Sequence, residues 1–400
     1  MRCGLVGAFA VAACASADNR SAISERDSAG IAIVDISRTG TDYGTTEPVL
    51  EIGPDTGAGE SGVFGSIAVV TADRAGRILV LDQQAQHVRV FAPDGKLIRL
   101  LGRAGRGPGE LSRFANGVMA AADGSVWVAD YAQARINIYN PEDGTLGNTI
   151  PLVARPGGRS WQLHGDTLVY RAMSIARDSL GRFRTWDGVV RTTAGTTVLD
   201  TLLIFDYVPT EIGGPPNLRI PLIMNAALWT RLDDGRLVSS SLDRDFIRVH
   251  KQDGSIERII RHREWKREPL ADADRAALRE LLREKLVLLG GDASAAESAS
   301  VEFWDHWPAI TAIRSGPWET IWVQRRGTIA DIDPMAVNSP DAPDRFGGSL
   351  WDVLDQKGRP LGLLRFPAGL RPHHVRDSLV YGVSTDSLGV QRVKVLKLRR

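Results

Sequence analysis

The stretch Arg99-Leu100-Leu101-Gly102, continuing through Gly105 and Gly109-Glu110 to Phe114, repeats Leu50-Glu51-Ile52-Gly53, Gly57, Gly59-Glu60 and Phe64 at an offset of 48 to 50 residues. The segments between keep step. Arg77-Ile78-Leu79-Val80-Leu81-Asp82 is matched by Ser125-Val126-Trp127-Val128-Ala129-Asp130, and a few residues later His87-Val88-Arg89-Val90-Phe91 is matched by Arg135-Ile136-Asn137-Ile138-Tyr139. Alternation with period two marks half-buried strands. Asp-Gly pairs, which favour tight hairpins, fall at 94, 123, 143, 187, 234 and 253. Each unit therefore reads as four short antiparallel strands, and a unit of about 40 to 50 residues has the size of one propeller blade.

Counting second strands gives Ile78 to Leu81, Val126 to Ala129, Thr167 to Tyr170, Arg236 to Ser239, Thr320 to Val323 and Ser378 to Gly382. The expected fold is all-β: a six-bladed β-propeller of four-stranded antiparallel blades. The C-terminal strands Gln391 to Leu398 and the N-terminal ones near Ile31 to Ile36 and Val49 to Ile52 are expected to share the last blade, which removes open sheet edges. One helix interrupts the series between blades 4 and 5. Leu278, Leu281, Leu282, Leu286 and Leu289 recur at helical spacing within about 269–289, and Gly290-Gly291 provide the stop. It packs on one propeller face or forms a lid over the channel. Residues 31–400 are read as a single domain, preceded by a flexible tether over 18–30 and a leader over 1–17.

The 400 residues are 43% hydrophobic and 24% charged, an ordinary globular composition, with 49 Lys and Arg against 48 Asp and Glu. That balance lacks the basic footprint of a nucleic-acid binder, and no nucleic-acid partner is expected. Only Arg2 precedes the uncharged run Gly4 to Ala13, which is too short to span a bilayer but suits a secretory signal. Val11-Ala12-Ala13-Cys14 resembles a bacterial lipobox, which implies lipid attachment at Cys14 and membrane contact through that anchor only. Ala15-Ser16-Ala17 offers the rival of ordinary cleavage, which would release a soluble exported protein. With Cys3 in the leader, Cys14 is the last cysteine, so no disulfide, zinc ribbon or thiol nucleophile is expected.

The run Arg89-Val90-Phe91-Ala92-Pro93-Asp94-Gly95, followed by Gly102 to Glu110, resembles the NHL-repeat-like six-bladed propellers of bacteria. The likeness is good over Phe64 to Ile150 and fainter at Ile321-Trp322-Val323, Trp351 to Asp355 and Val390 to Val393. It implies a fold and an exported, cell-envelope location, and it implies no particular activity.

No catalytic constellation stands out: nucleophile elbow, HExxH helix and Rossmann fingerprint are all missing. The glycine-rich 102–110 loop lacks the Gly-Lys-Ser/Thr and the following helix of a phosphate loop, and reads as a crossover between blades. Asp82 and Asp130 read as backbone caps at strand ends. The inner strands, which line the channel, are assigned to Ser66 to Thr71, Gly117 to Ala121, Trp161 to His164, Ala226 to Leu232, Pro308 to Ile313 and Arg371 to Val375. They contain no Asp or Glu, against a calcium site of the lactonase type. His164, His306 and His373 or His374 lie on or beside three of them and could converge on zinc. Arg231, Arg314, Arg371 and Arg376 could make one mouth positive. Asp305 and His306, inside Trp304-Asp305-His306-Trp307, are candidates for a ligand surface. The resulting expectation is a binding module at the bacterial envelope, with a protein, peptide or carbohydrate partner on the loop face and no cofactor. The alternative is a metal-dependent lyase or hydrolase built on the channel histidines.

Overall fold

The computed structural model describes residues 22–400 apart from 41, 153–155, 166, 178–182, 194–197, 206–219, 224–225, 295–296, 298–300, 338–342 and 387. The leader, with Cys14, lies outside the described residues. The protein is a six-bladed β-propeller. Blade 1 orders its strands Ile67–Ala72, Ile78–Asp82, His87–Phe91 and Leu97–Leu101 from the axis outward. The inner strands of blades 2 to 6 are Ala115–Ala120, Pro156–His164, Ala227–Arg231, Ile310–Gly316 and Leu370–Arg376. In five of the six blades the inner strand carries a register shift against its neighbour, between Ile67 and Val69 in blade 1 and between Pro372 and His374 in blade 6. Such bulges increase local twist and re-aim side chains toward the axis.

Alternation in the sequence becomes packing between blades. Six apolar clusters fill the six seams. Leu79, Val88, Val118 and Val128 join blade 1 to blade 2, and Ile52, Val70, Tyr381 and Val393 join blade 6 to blade 1. Between blades 5 and 6, Trp322, Trp351 and Phe366 meet edge to face or tilted, with centroids 5.8–6.5 Å apart. Each fully buried aliphatic side chain contributes roughly 1.5–3 kcal/mol, so the ring is held by its seams, without a disulfide. In blades 1 and 2 an aspartate at the end of the second strand ties the blade to a turn. Asp82 accepts the N–H groups of Gly65, Ser66, Gln84 and Ala85 at 2.9–3.1 Å, and Asp130 accepts from Ser112 and Gln133.

The N-terminal segment divides between two blades. Asp42–Ile52 fills the outer position of blade 6, antiparallel to Gln391–Arg399, and closes the ring. Ile31–Ile36, expected beside it, instead pairs in parallel with Ile256–His262 of blade 4, and Ile23–Ser28 adds beyond it, giving that blade six strands. The reason is apolar matching: Ile33 faces Ile259 and Val34 faces Ile260, while the place in blade 6 is taken by the longer strand. Residues 23–28, read as tether, are thus strand.

The helix between blades 4 and 5 spans Asp272–Leu288 and buries Leu278, Leu281 and Leu282. It stops where the glycines predict: Gly290 donates to Val287 and Gly291 to Leu286, the paired bonds of a Schellman end, with Gly290 at φ 76.

Candidate functional site

All six inner strands line one axial channel of about 850 Å³, contributing Val70, Met119, Gln162, Thr230, Arg314 and His373 among others. One further element enters it. The connection between the second and third strands of blade 5, residues 327–346, is far longer than the turns of other blades and ends in the short 3-10 turn Pro343–Phe346. Pro343 and Asp344 of that turn line the channel, whereas no residue of the helix does. The helix lies behind the insert. Leu278, Leu281 and Leu282 share a core with Ile332, Val337 and Phe346, and Lys285 Nζ donates to the Val337 carbonyl at 2.6 Å. Burial pushes the Lys285 pKa below its ordinary value.

The inner strands lack a carboxylate, and the channel takes its carboxylates from the segments that follow or face them: Asp233, Asp377 and, from the insert, Asp344. Burial would raise the Asp344 pKa, but Arg314, then His373, Arg371 and Arg345, bring it below the ordinary value. Arg314 Nη2 stands 3.7 Å from Asp344 Oδ2. On the inner strand of the neighbouring blade, His373 Nδ1 accepts the Val70 N–H at 3.2 Å, so the neutral ring carries its proton on Nε2. His374, brought beside it by the bulge, has a buried Nε2 without a partner and sits 5.8 Å from the Tyr381 ring. Desolvation, with Arg376 adding to it, pushes the His374 pKa down to about 4.

Six of the residues singled out by sequence line the channel: His164, Arg231, Arg314, His373, His374 and Arg376. His164 is exposed at the end of its strand, and among the described residues no three His, Cys, Asp or Glu side chains group to hold a metal. The three-histidine zinc arrangement does not form because His306 is elsewhere. Asp305 and His306 belong to a backbone zipper under the helix: His306 bridges Pro269, and the Asp305 carbonyl accepts from Leu270. Trp307 is buried there, and its Nε1 donates to Asp274 of the helix. Neither Asp305 nor His306 is a channel residue. The four arginines do not crowd one mouth either. Arg371 is 9% exposed and donates to Asp333 at 2.6 Å, Arg314 faces Asp344, and Arg231 and Arg376 stand at the other end, where the inner strands finish. Sequence reasoning missed Asp344. Its signal was the excess length between Val323 and Trp351.

A second polar cluster is buried outside the channel. Asp352, fully buried, receives two bonds of 2.8 Å from Arg325, one of 2.7 Å from Trp265 Nε1 and one of 3.0 Å from Thr39 Oγ1. His262 Nδ1 accepts the Glu264 N–H, so its Nε2–H donates to Thr39 Oγ1 at 2.6 Å. The set is closed on itself and ties the N-terminal segment to blades 4 and 5.

A family model described as a 6-bladed beta-propeller matches residues 60–186, the region of blades 1 to 3. No curated protein matches the chain. Among solved structures, virginiamycin B lyase from Staphylococcus aureus is similar at 12% identity and a TM-score of 0.45, covering 88% of this chain and all of that one. A DUF4221-family protein from Bacteroides vulgatus is similar at 10% identity and TM-score 0.47, over 91% of this chain and 98% of its own. PQQ-bound aldose sugar dehydrogenase from Streptomyces coelicolor is similar at 14% identity and TM-score 0.45, over 90% and 100%. Likeness at this level assigns no activity to the chain.

Proposed function

We propose that the protein is an exported, lipid-anchored binding module of the bacterial envelope that takes a small ligand into its axial channel. The observation that carries this reading is the channel itself: about 850 Å³, walled by all six blades and left open by their side chains. A cavity of that size with a few convergent polar groups is the usual form of a ligand pocket. The propeller supplies rigidity, and Arg231, Arg314 and Arg376 supply charge along the wall. The leader sequence supports export, and Cys14 supports the anchor.

The channel is tested by filling it. Ala120 lines the lumen, and Ala120→Trp is expected to abolish thermal shifts given to the mature protein by any ligand found among small carbohydrates, peptides and carboxylates. A ligand that shifts wild type and Ala120→Trp equally binds elsewhere and overturns the reading. Cys14→Ala tests the anchor separately. Expected is loss of processing or release into the soluble fraction, and a cleaved product that stays on the membrane refutes lipidation at that residue.

A further inference from the structure

Resting on the channel as the ligand pocket, we propose that Arg314 and His373 form an oxyanion subsite, which Asp344 occupies until the carboxylate or phosphate of a ligand replaces it. Arg314, like Arg231 and Arg376, is an under-used guanidinium of the wall, and it is the one that faces Asp344. Arg171 grips Asp187 through two N–H···O contacts, and Arg371 donates to Asp333 at 2.6 Å. Arg314 has one long bond, from Nη1 to the Ile313 carbonyl at 3.3 Å, while its Nε is buried without a partner. Its Nη2 is 3.7 Å from Asp344 Oδ2, too far for a hydrogen bond. A guanidinium carries five donors in a fork that suits an oxyanion held at about 2.8 Å.

Asp344 has the charge for this position without the fit. Four cationic or imidazole groups attract it, yet it makes no hydrogen bond to Arg314. A ligand oxyanion that reached the guanidinium in bidentate contact would make the bonds that Asp344 does not, with the His373 ring beside it. The exchange needs only a side-chain rotation. Phe346, two residues on, is fully buried, and Arg345 holds Asp333 at 3.0 Å, so the turn stays in place.

The test is titration calorimetry of the mature chain with two probes, succinate and inorganic phosphate. Wild type is compared with Asp344→Asn, Arg314→Gln and the double variant. Asp344→Asn is expected to bind at least one probe about tenfold more tightly than wild type, through removal of an internal competitor. Arg314→Gln is expected to weaken binding by about 10- to 100-fold in either background, the usual size for hydrogen bonds to a charged group. Which probe binds separates a carboxylate ligand from a phosphate ligand. The proposal is overturned if neither probe binds Asp344→Asn, if Asp344→Asn binds no more tightly than wild type, or if Arg314→Gln binds as its parent does. Should Arg314→Gln fail to fold, Arg314→Lys keeps the charge but loses the fork and is still expected to weaken binding. A neutral ligand excluded by Ala120→Trp but indifferent to Arg314→Gln refutes the subsite and leaves the channel standing.

Discussion

His374 makes the stability of the ring depend on pH in a way that one substitution removes. Its pKa falls from the ordinary 6.5 to about 4, because the ring is desolvated and Arg376 lies near. The folded state therefore binds this proton less readily than the unfolded chain, and the sign follows: the contribution is whole above 6.5 and is lost as pH falls through the folded value. With the two pKa values separated as stated, the loss between pH 7.5 and pH 5 is about 2 kcal/mol, rising to about 3 kcal/mol at pH 4. The assay is urea unfolding of wild type and His374→Gln at both pH values. His262 and His87, whose pKa values are also lowered, act equally in the two proteins and cancel in the comparison. Wild type is expected to lose about 2 kcal/mol more than the variant on going to pH 5. Equal losses would mean that the ring takes up its proton inside the fold without penalty, which would refute the desolvation argument and the buried, partnerless Nε2 on which it rests.

Three further outcomes concern packing and charge. Asp352→Asn removes one partner of a buried ion pair and is expected to cost about 3–5 kcal/mol by urea unfolding, whereas Asp94→Asn, at an exposed pair with Lys96, should stay within about 0.5 kcal/mol. Leu278→Ala leaves a void between helix, insert and the seam of blades 4 and 5, and a loss of about 2–5 kcal/mol in the same assay is expected. Gly105→Ala places a Cβ 2.0 Å from Glu110 Oε2 at φ 151, so a melting temperature no lower than wild type would show that the crossover loop is not built as described.

The fold was legible wherever the chain repeats itself. All six inner and second strands fall where alternation and Asp-Gly spacing place them, because each blade must bury the same two faces. The N-terminal strands were misplaced for a reason of the same kind. Ile31–Ile36 is apolar enough to complete any outer edge, and only matching against Ile259 and Ile260 selects blade 4. Among candidate site residues, those on inner strands other than Arg371 reached the channel, since periodicity fixes which strand faces the axis. Asp305 and His306 did not, because they precede their strand and zip to the chain at Pro269 and Leu270. Asp344 arrives from an insertion, and no local pattern says where an insertion folds back.

The two departures from blade regularity act together. The helix joins the outer strand of blade 4 to the inner strand of blade 5, and the 327–346 insert joins the second strand of blade 5 to its third. In an antiparallel blade the inner strand begins on the face where the second strand ends, so both elements emerge on one face. There the helix cannot bury its leucine stripe alone, and the described part of the insert forms only short 3-10 turns; each completes the other through Leu278, Leu282, Val337 and Phe346. Lys285 adds a buried bond to Val337, and its charge lies near Asp333 and Arg345. The position of Asp344 in the channel is thus fixed by residues that never touch the lumen. It follows that substitutions on the buried face of the helix alter the channel through packing.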